Sequence, residues 1–244
     1  MMDVQPFLFL ASRVLPYLSL TIFSLGILFK VVGWLKASKT LFNPSQRGLS
    51  ISFILKELVL DIIFFRKVAR RSLSLWLMTF PMHILSALII FGHTRSMGLW
   101  SASWFTFLAP EEVLTYWVPL VAGWIIFAEL ILLLLRRLVY THIRGISRWD
   151  DYFLLILLIA IMFAGNMMRV LPHGEEPFTL SIPYLFTMHL HDTPPLEWMT
   201  LHMILIEVLV MYLPFSKLIH ILTGVISSIG YQRDKAPLHL KGGR

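Results

Sequence analysis

Apolar side chains occupy this chain in five long runs, and charged residues collect in the segments between them. A helix rising 1.5 Å per residue needs about 20 apolar residues to cross a bilayer, so the pattern predicts spanning helices over 14–35, 72–94, 113–135, 152–171 and 197–223. Between the first two runs, Ile51 to Phe65 is apolar but interrupted by Lys56, Glu57 and Asp61, and it leads into Arg66-Lys67-Val68-Ala69-Arg70-Arg71. This stretch, about residues 50–71, is too broken to span. It reads as an amphipathic helix at the membrane interface or against a soluble subunit. No internal repeat or low-complexity tract is evident. The predicted fold class is all-α, a single integral membrane bundle of five transmembrane helices covering 1–244.

Basic residues set the orientation. The segment Lys30 to Arg71 carries nine Lys/Arg, Arg136 to Arg148 carries four, and the tail from Lys217 carries five, whereas the opposite side has only Arg13, Arg95 and Arg169. Positive residues are retained on the cytoplasmic side, so the N-terminus is expected outside and the C-terminus in the cytoplasm, with the 50–71 segment in the first cytoplasmic loop. Composition agrees: 57% of the 244 residues are hydrophobic, 14% are charged, and mean hydropathy is +0.74. These values exclude an ordinary soluble domain. The net charge of +7 follows membrane topology, and no nucleic-acid-binding motif accompanies it.

The chain has no cysteine. Covalent haem attachment through Cys-x-x-Cys-His and thiolate-held iron–sulfur clusters are therefore both excluded. Met1 to Leu10 lacks the basic start and small-residue cleavage site of a signal peptide, so the first apolar run is expected to be a retained helix.

Four histidines lie inside the runs, His83 and His93 ten residues apart in the second and His202 and His220 eighteen apart in the fifth. A metal-binding side chain inside a bilayer is costly unless it faces the bundle interior with a partner, which makes these four candidate axial ligands of two haems held between two helices. The two helices run in opposite directions, so His93 pairs with His202 on the outer side and His83 with His220 on the cytoplasmic side. Eighteen residues make five full turns and put His202 and His220 on one face; ten leave His83 and His93 about 80° apart. The spacings, about 15 Å and about 27 Å along straight axes, do not match, and tilt together with a kink at Pro214 is needed to reconcile them. Gly92, without a Cβ, would let a flat macrocycle approach the backbone beside His93.

Phe91-Gly92-His93, the string Leu213-Pro214-Phe215-Ser216-Lys217-Leu218-Ile219-His220 and both histidine spacings resemble the di-haem cytochrome b subunit of respiratory nitrate reductases, the gamma subunit superfamily. Trp149-Asp150-Asp151-Tyr152 and Met168-Arg169 look more like its sulfite- and heterodisulfide-reductase-linked branch. The resemblance implies that His83, His93, His202 and His220 ligate two b haems and that a quinone, of menaquinone type, exchanges electrons near the outer haem. The nitrate branch has a lysine in the outer loop associated with the quinone pocket, whereas Thr94 to Glu112 contains none. Arg95, Glu111 and Arg169 become the candidate quinone region, with Glu112 and the His189/His191 segment beside them. Arg95 and Arg169 also suit haem propionates, because guanidinium binds carboxylates bidentately.

The remaining titratable residues carry weaker signals. His142 and His239 fall in cytoplasmic segments and are expected to be solvated. His173, His189 and His191 fall in the outer segment between the fourth and fifth runs, read as a loop; His189-Leu190-His191-Asp192 offers too few ligands to fix a metal geometry. Glu129 and Glu207 are embedded acids, expected to be neutral, paired or part of a proton path.

Together these readings describe an electron-transfer subunit of a prokaryotic cytoplasmic membrane complex. Electrons would pass between quinone and a cytoplasmic iron–sulfur subunit, with other membrane or periplasmic subunits alongside. A transporter would be expected to show repeat symmetry and broken helices, and a structural anchor has no use for four inward histidines.

Overall fold

The computed structural model describes residues 4–41, 56, 59–182 and 186–219. Within them are five helices long and apolar enough to cross a membrane: α1 (Gln5–Lys36), α2 (Leu73–Ser96), α3 (Val113–Val139), α4 (Trp149–Val170) and α5 (Leu196–Phe215). Few of their side chains are buried; Phe29, Ile90, Leu132 and Ile156 are among many large apolar groups facing outward. In water such a surface would aggregate, and in a bilayer it is the solvated face. The chain is a multi-pass membrane protein.

Three of the five helices, α2, α3 and α4, lie within a few residues of their predicted bounds. Of the other two, α1 begins nine residues early, at Gln5, with Pro6 in its first turn. Proline fits there because the first N–H groups of a helix have no internal partner. Farther along, Pro16 and Pro119 lack an N–H and crowd the carbonyl four residues back, and each follows a widened π-helical turn, Leu10–Val14 and Val113–Trp117. The wider turn carries each helix past its proline. In α5 the α-helical ladder stops at Tyr212 and is followed by 3-10 turns at Leu213–Phe215 and Lys217–Ile219, where the sequence predicted one kinked helix to 223. The residue before a proline is disfavoured in the α region, which places the stop ahead of Pro214. Residues beyond 219 lie outside the described set, and so does His220.

The chain forms two compact units, Met1–Phe23 with Pro81–Tyr212 and Ser24–Phe80 with Leu213–Arg244. In the first, α4 packs between α3 and α5. Ile126 and Leu130 of α3 meet Leu155 of α4, and Met82, Leu85 and Ile89 of α2 pack around them. Asn166 of α4 presses against α3 where a Cβ on Gly123 would stand 2.1 Å from its Oδ1, so the glycine is what allows this approach. At one end, Asp151 accepts from the Arg148 backbone N–H (3.0 Å) and pairs with Arg137 (3.6 Å). Arg137 also donates to Ser147 (2.9 Å), fastening the turn between α3 and α4.

The segment read as a loop between α4 and α5 contains an antiparallel hairpin, β1 (Phe178–Ile182) and β2 (Phe186–Leu190), with Leu180 opposite Met188. The all-α expectation is corrected by this element. Its cause is period-two alternation: Leu180 and Ile182 are buried while Thr179 and Ser181 are exposed. The hairpin packs against the first turns of α1.

In the second unit, the described residues of the expected interfacial segment are helical at Lys56, Val59–Ile63 and Arg66–Arg71, and 50–55, 57 and 58 lie outside the described set. Phe65, between them, has φ 48°, an unfavourable conformation for a bulky side chain. Aromatic packing holds it: Phe65 lies edge-on to Phe80, Trp76 stacks on Phe80 at 4.8 Å, and Trp76 Nε1 donates to the Phe64 carbonyl at 2.8 Å.

Candidate functional site

His93 lies near the C-terminal end of α2 and His202 in the second turn of α5. Their ring centroids are 6.3 Å apart and their planes are 16° from parallel. Each ring is oriented by a backbone carbonyl: Nδ1 of His93 bonds to the Ile89 oxygen one turn back (2.7 Å), and Nδ1 of His202 to the Ile161 oxygen of α4 (3.0 Å). A carbonyl can only accept, so Nδ1 carries the proton and Nε2 keeps a bare lone pair in each neutral ring. Neither Nε2 has a hydrogen-bond partner among the described residues.

Histidines that ligate a metal characteristically donate their other ring N–H to a carbonyl or carboxylate. Two nitrogen–metal bonds of about 2 Å, with the ring radii added, separate two centroids by about 6 Å. The 6.3 Å centroid separation of His93 and His202 matches that spacing. Among the described residues no group of three His, Cys, Asp or Glu is placed to hold a metal ion.

The ring of His202 packs closely against Gly165: a Cβ there would lie 3.0 Å from Cε1 and 3.3 Å from Nδ1, so the ring would have to shift. A Cβ on Gly92, next to His93, would meet nothing within 4 Å, leaving bare backbone on that face. His83, half-buried, lies ten residues before His93 on α2. Its expected partner His220 is outside the described residues.

Arg95, Glu111 and Arg169 come together at the end of this unit where α2 and α4 finish and α3 begins. Arg95 pairs with Glu111 at 3.7 Å, both partly exposed. Arg169 donates to the Thr115 carbonyl (3.3 Å), while its own carbonyl accepts from Tyr116 (3.4 Å). Thr115 is four residues before Pro119, so its carbonyl has lost its usual helical donor and Arg169 takes that place. The charge of Arg169 acts on both His93 and His202.

Beside Arg95 is an open cleft of about 580 Å³, bounded by Trp100, Trp104, His189 and His191. Trp100 stacks on Phe91 at 4.6 Å and donates to Thr94 at 2.9 Å, which fixes one wall. His191 Nδ1 lies 2.5 Å from Asp192, and His189 Nδ1 lies 3.4 Å from Thr179. His142 is exposed, as expected, and so is His173 of the outer segment; His239 lies outside the described residues.

The structure brings His93 and His202 together, as the sequence reading expected of that pair, and adds Gly165, the Ile161 carbonyl and the Thr115 carbonyl, which that reading missed. Gly165 had a signal, since a mid-helix glycine costs about 1 kcal/mol and calls for a packing reason.

This is a helical membrane protein with a paired-imidazole site near one end of its bundle. It belongs to the nitrate reductase gamma subunit family, whose model matches residues 68–236, more than half of the chain. Among similar proteins, the Hdr-like menaquinol oxidoreductase cytochrome b-like subunit of Archaeoglobus fulgidus is 26% identical over 249 positions, covering 85% of this chain and 74% of its own. The protein of the same name from Archaeoglobus profundus is 23% identical over 255 positions, covering 84% and 74%. Both relatives carry the Hdr-like name, the branch to which Trp149-Asp150-Asp151-Tyr152 and Met168-Arg169 pointed. No solved structure matches.

Proposed function

We propose that this chain is the di-haem b membrane subunit of a quinol-oxidising complex, taking electrons from a menaquinol-type quinol and delivering them to a cytoplasmic iron–sulfur partner. The observation that carries the reading is the His93–His202 pair, two near-parallel imidazoles 6.3 Å apart, each tied through Nδ1 to a carbonyl. The names of the two relatives support the quinol and cytochrome b parts of it. His83 and His220 are the second ligand pair in this reading, and the positive-inside bias puts the His93–His202 pair on the outer side.

Haem bound at the pair supplies one-electron transfer. The protein fixes both rings, bares both Nε2 atoms, and sets the cationic groups Arg169 and Arg95 on the approach. A quinol that gives up two electrons also releases two protons. The cleft beside Arg95 combines a flat aromatic wall for the ring with His189 and the His191–Asp192 pair as proton acceptors.

The test is a reduced-minus-oxidised visible spectrum with haem quantification on the intact complex, followed by addition of a quinone-analogue inhibitor. Two b haems per chain are expected, and the inhibitor should perturb the outer component, with a smaller response after Glu111→Gln. One haem or none would overturn the ligand scheme, and a response confined to the other component would move the quinone to the cytoplasmic side.

A further inference from the structure

Glu207 of α5 lies five residues beyond His202, inside an apolar span, where an unpaired carboxylate is costly. Its carboxyl meets the hydroxyl of Ser19 on α1, and Ser19 is almost fully buried. The same hydroxyl is 3.1 Å from the Pro16 carbonyl oxygen. A serine hydroxyl has one hydrogen, and a carbonyl can only accept. If Glu207 were ionised, both neighbours of Ser19 would be acceptors and one contact would have no hydrogen. If Glu207 carries a proton, every contact is satisfied: the carboxyl donates to Ser19 Oγ, and Ser19 donates to Pro16.

Among the described residues no cation forms an ion pair with this carboxyl. Between Arg13 and Lys30 on α1 the only titratable residue is Tyr17, and between Tyr152 and Arg169 on α4 there is none. On α5 the nearest titratable residues are His202 and Tyr212, five residues away in opposite directions, with His93 beyond His202. Five residues of helix are about 7.5 Å, close enough in a medium of low dielectric for a unit charge at one position to be felt at the other.

We propose that Glu207 is a proton-binding site inside the bilayer, a neutral carboxylic acid relayed through Ser19, whose hydrogen bonding changes with the redox state of the centre held by His202. The redox clause rests on the haem reading above. The proton does not, because it follows from the hydrogens available to Ser19.

Infrared spectroscopy of the purified full-length protein tests both parts. At a fixed oxidation state, a carboxylic-acid C=O band should disappear in Glu207→Gln and shift to higher frequency in Ser19→Ala, which removes its acceptor. Glu129→Gln should leave that band in place; Glu129 is a second embedded acid, with an Oε2 that lacks a hydrogen-bond partner among the described residues. In the reduced-minus-oxidised difference spectrum, the Glu207 band should appear as a paired loss and gain. A spectrum in which Glu207→Gln removes no carboxylic-acid band overturns the proposal, and so does a band that is present but silent on reduction. A missing haem signal instead overturns the haem reading, and the fixed-state band still decides where the proton is.

Discussion

Gly165 and His202 face each other across α4 and α5 so closely that a Cβ on Gly165 would stand 3.0 Å from the imidazole Cε1, tighter than side chains ordinarily pack. The glycine acts twice. It admits the ring, and it uncovers the Ile161 carbonyl four residues earlier, whose oxygen accepts from His202 Nδ1. Gly165→Ala should push the ring off that carbonyl at a cost of about 1–3 kcal/mol, typical of overpacking. The outer haem component should be lost or shifted in a redox titration, with the inner component unchanged. An unaltered titration would show that the contact does not hold the ligand.

The candidate ligands were legible in the sequence, and the groups that orient their rings were not. His93 and His202 stand out because histidine inside an apolar run needs a reason to be there. A carbonyl is present at every residue, so nothing in the sequence marks Ile161; its role depends on the register of α5 against α4. Most of the helices could be read from run length, but the extension of α1 from residue 14 back to Gln5 could not, because a widened π turn at Leu10–Val14 carries the helix through a stretch where Pro16 reads as a helix start. The hairpin at 178–190 was obscured for a related reason, its five-residue strands being too short for a window suited to spans.

The pairing scheme predicts that His93→Ala and His202→Ala remove the same spectral component and halve the haem content, while His83→Ala removes the other. Redox titration of each variant with haem quantification reads the outcome directly. Loss of different components from His93→Ala and His202→Ala would contradict the 6.3 Å pair as a shared ligand set.

Asp151 has a structural role at the start of α4. It is buried, caps the start of α4 and pairs with Arg137, whose own side chain is about one-third exposed. Removing one partner of a fully buried pair costs about 3–5 kcal/mol; with solvent reaching Arg137, Asp151→Ala is expected to cost about 2 kcal/mol, cap included. Thermal unfolding in detergent should show a lowered Tm with haem stoichiometry retained. A double-mutant cycle with Arg137→Ala should give a coupling term, and strict additivity would count against the pair.

Arg169 has two roles that substitution can separate. Its guanidinium donates to the carbonyl that Pro119 leaves without a helical partner, and its positive charge acts on both His93 and His202. A fixed positive charge disfavours the more positive, oxidised state of a nearby centre and so raises its midpoint potential. Arg169→Gln should lower the outer component's midpoint by tens of millivolts, because the charge is removed from a site of low dielectric. Arg169→Lys keeps the charge but loses the planar fork, so it should nearly preserve the potential while lowering stability by about 1 kcal/mol through the weakened bond to Thr115. A potentiometric titration of both variants makes the distinction. If the lysine variant shifts as far as the glutamine variant, geometry and not charge is what Arg169 contributes to the site.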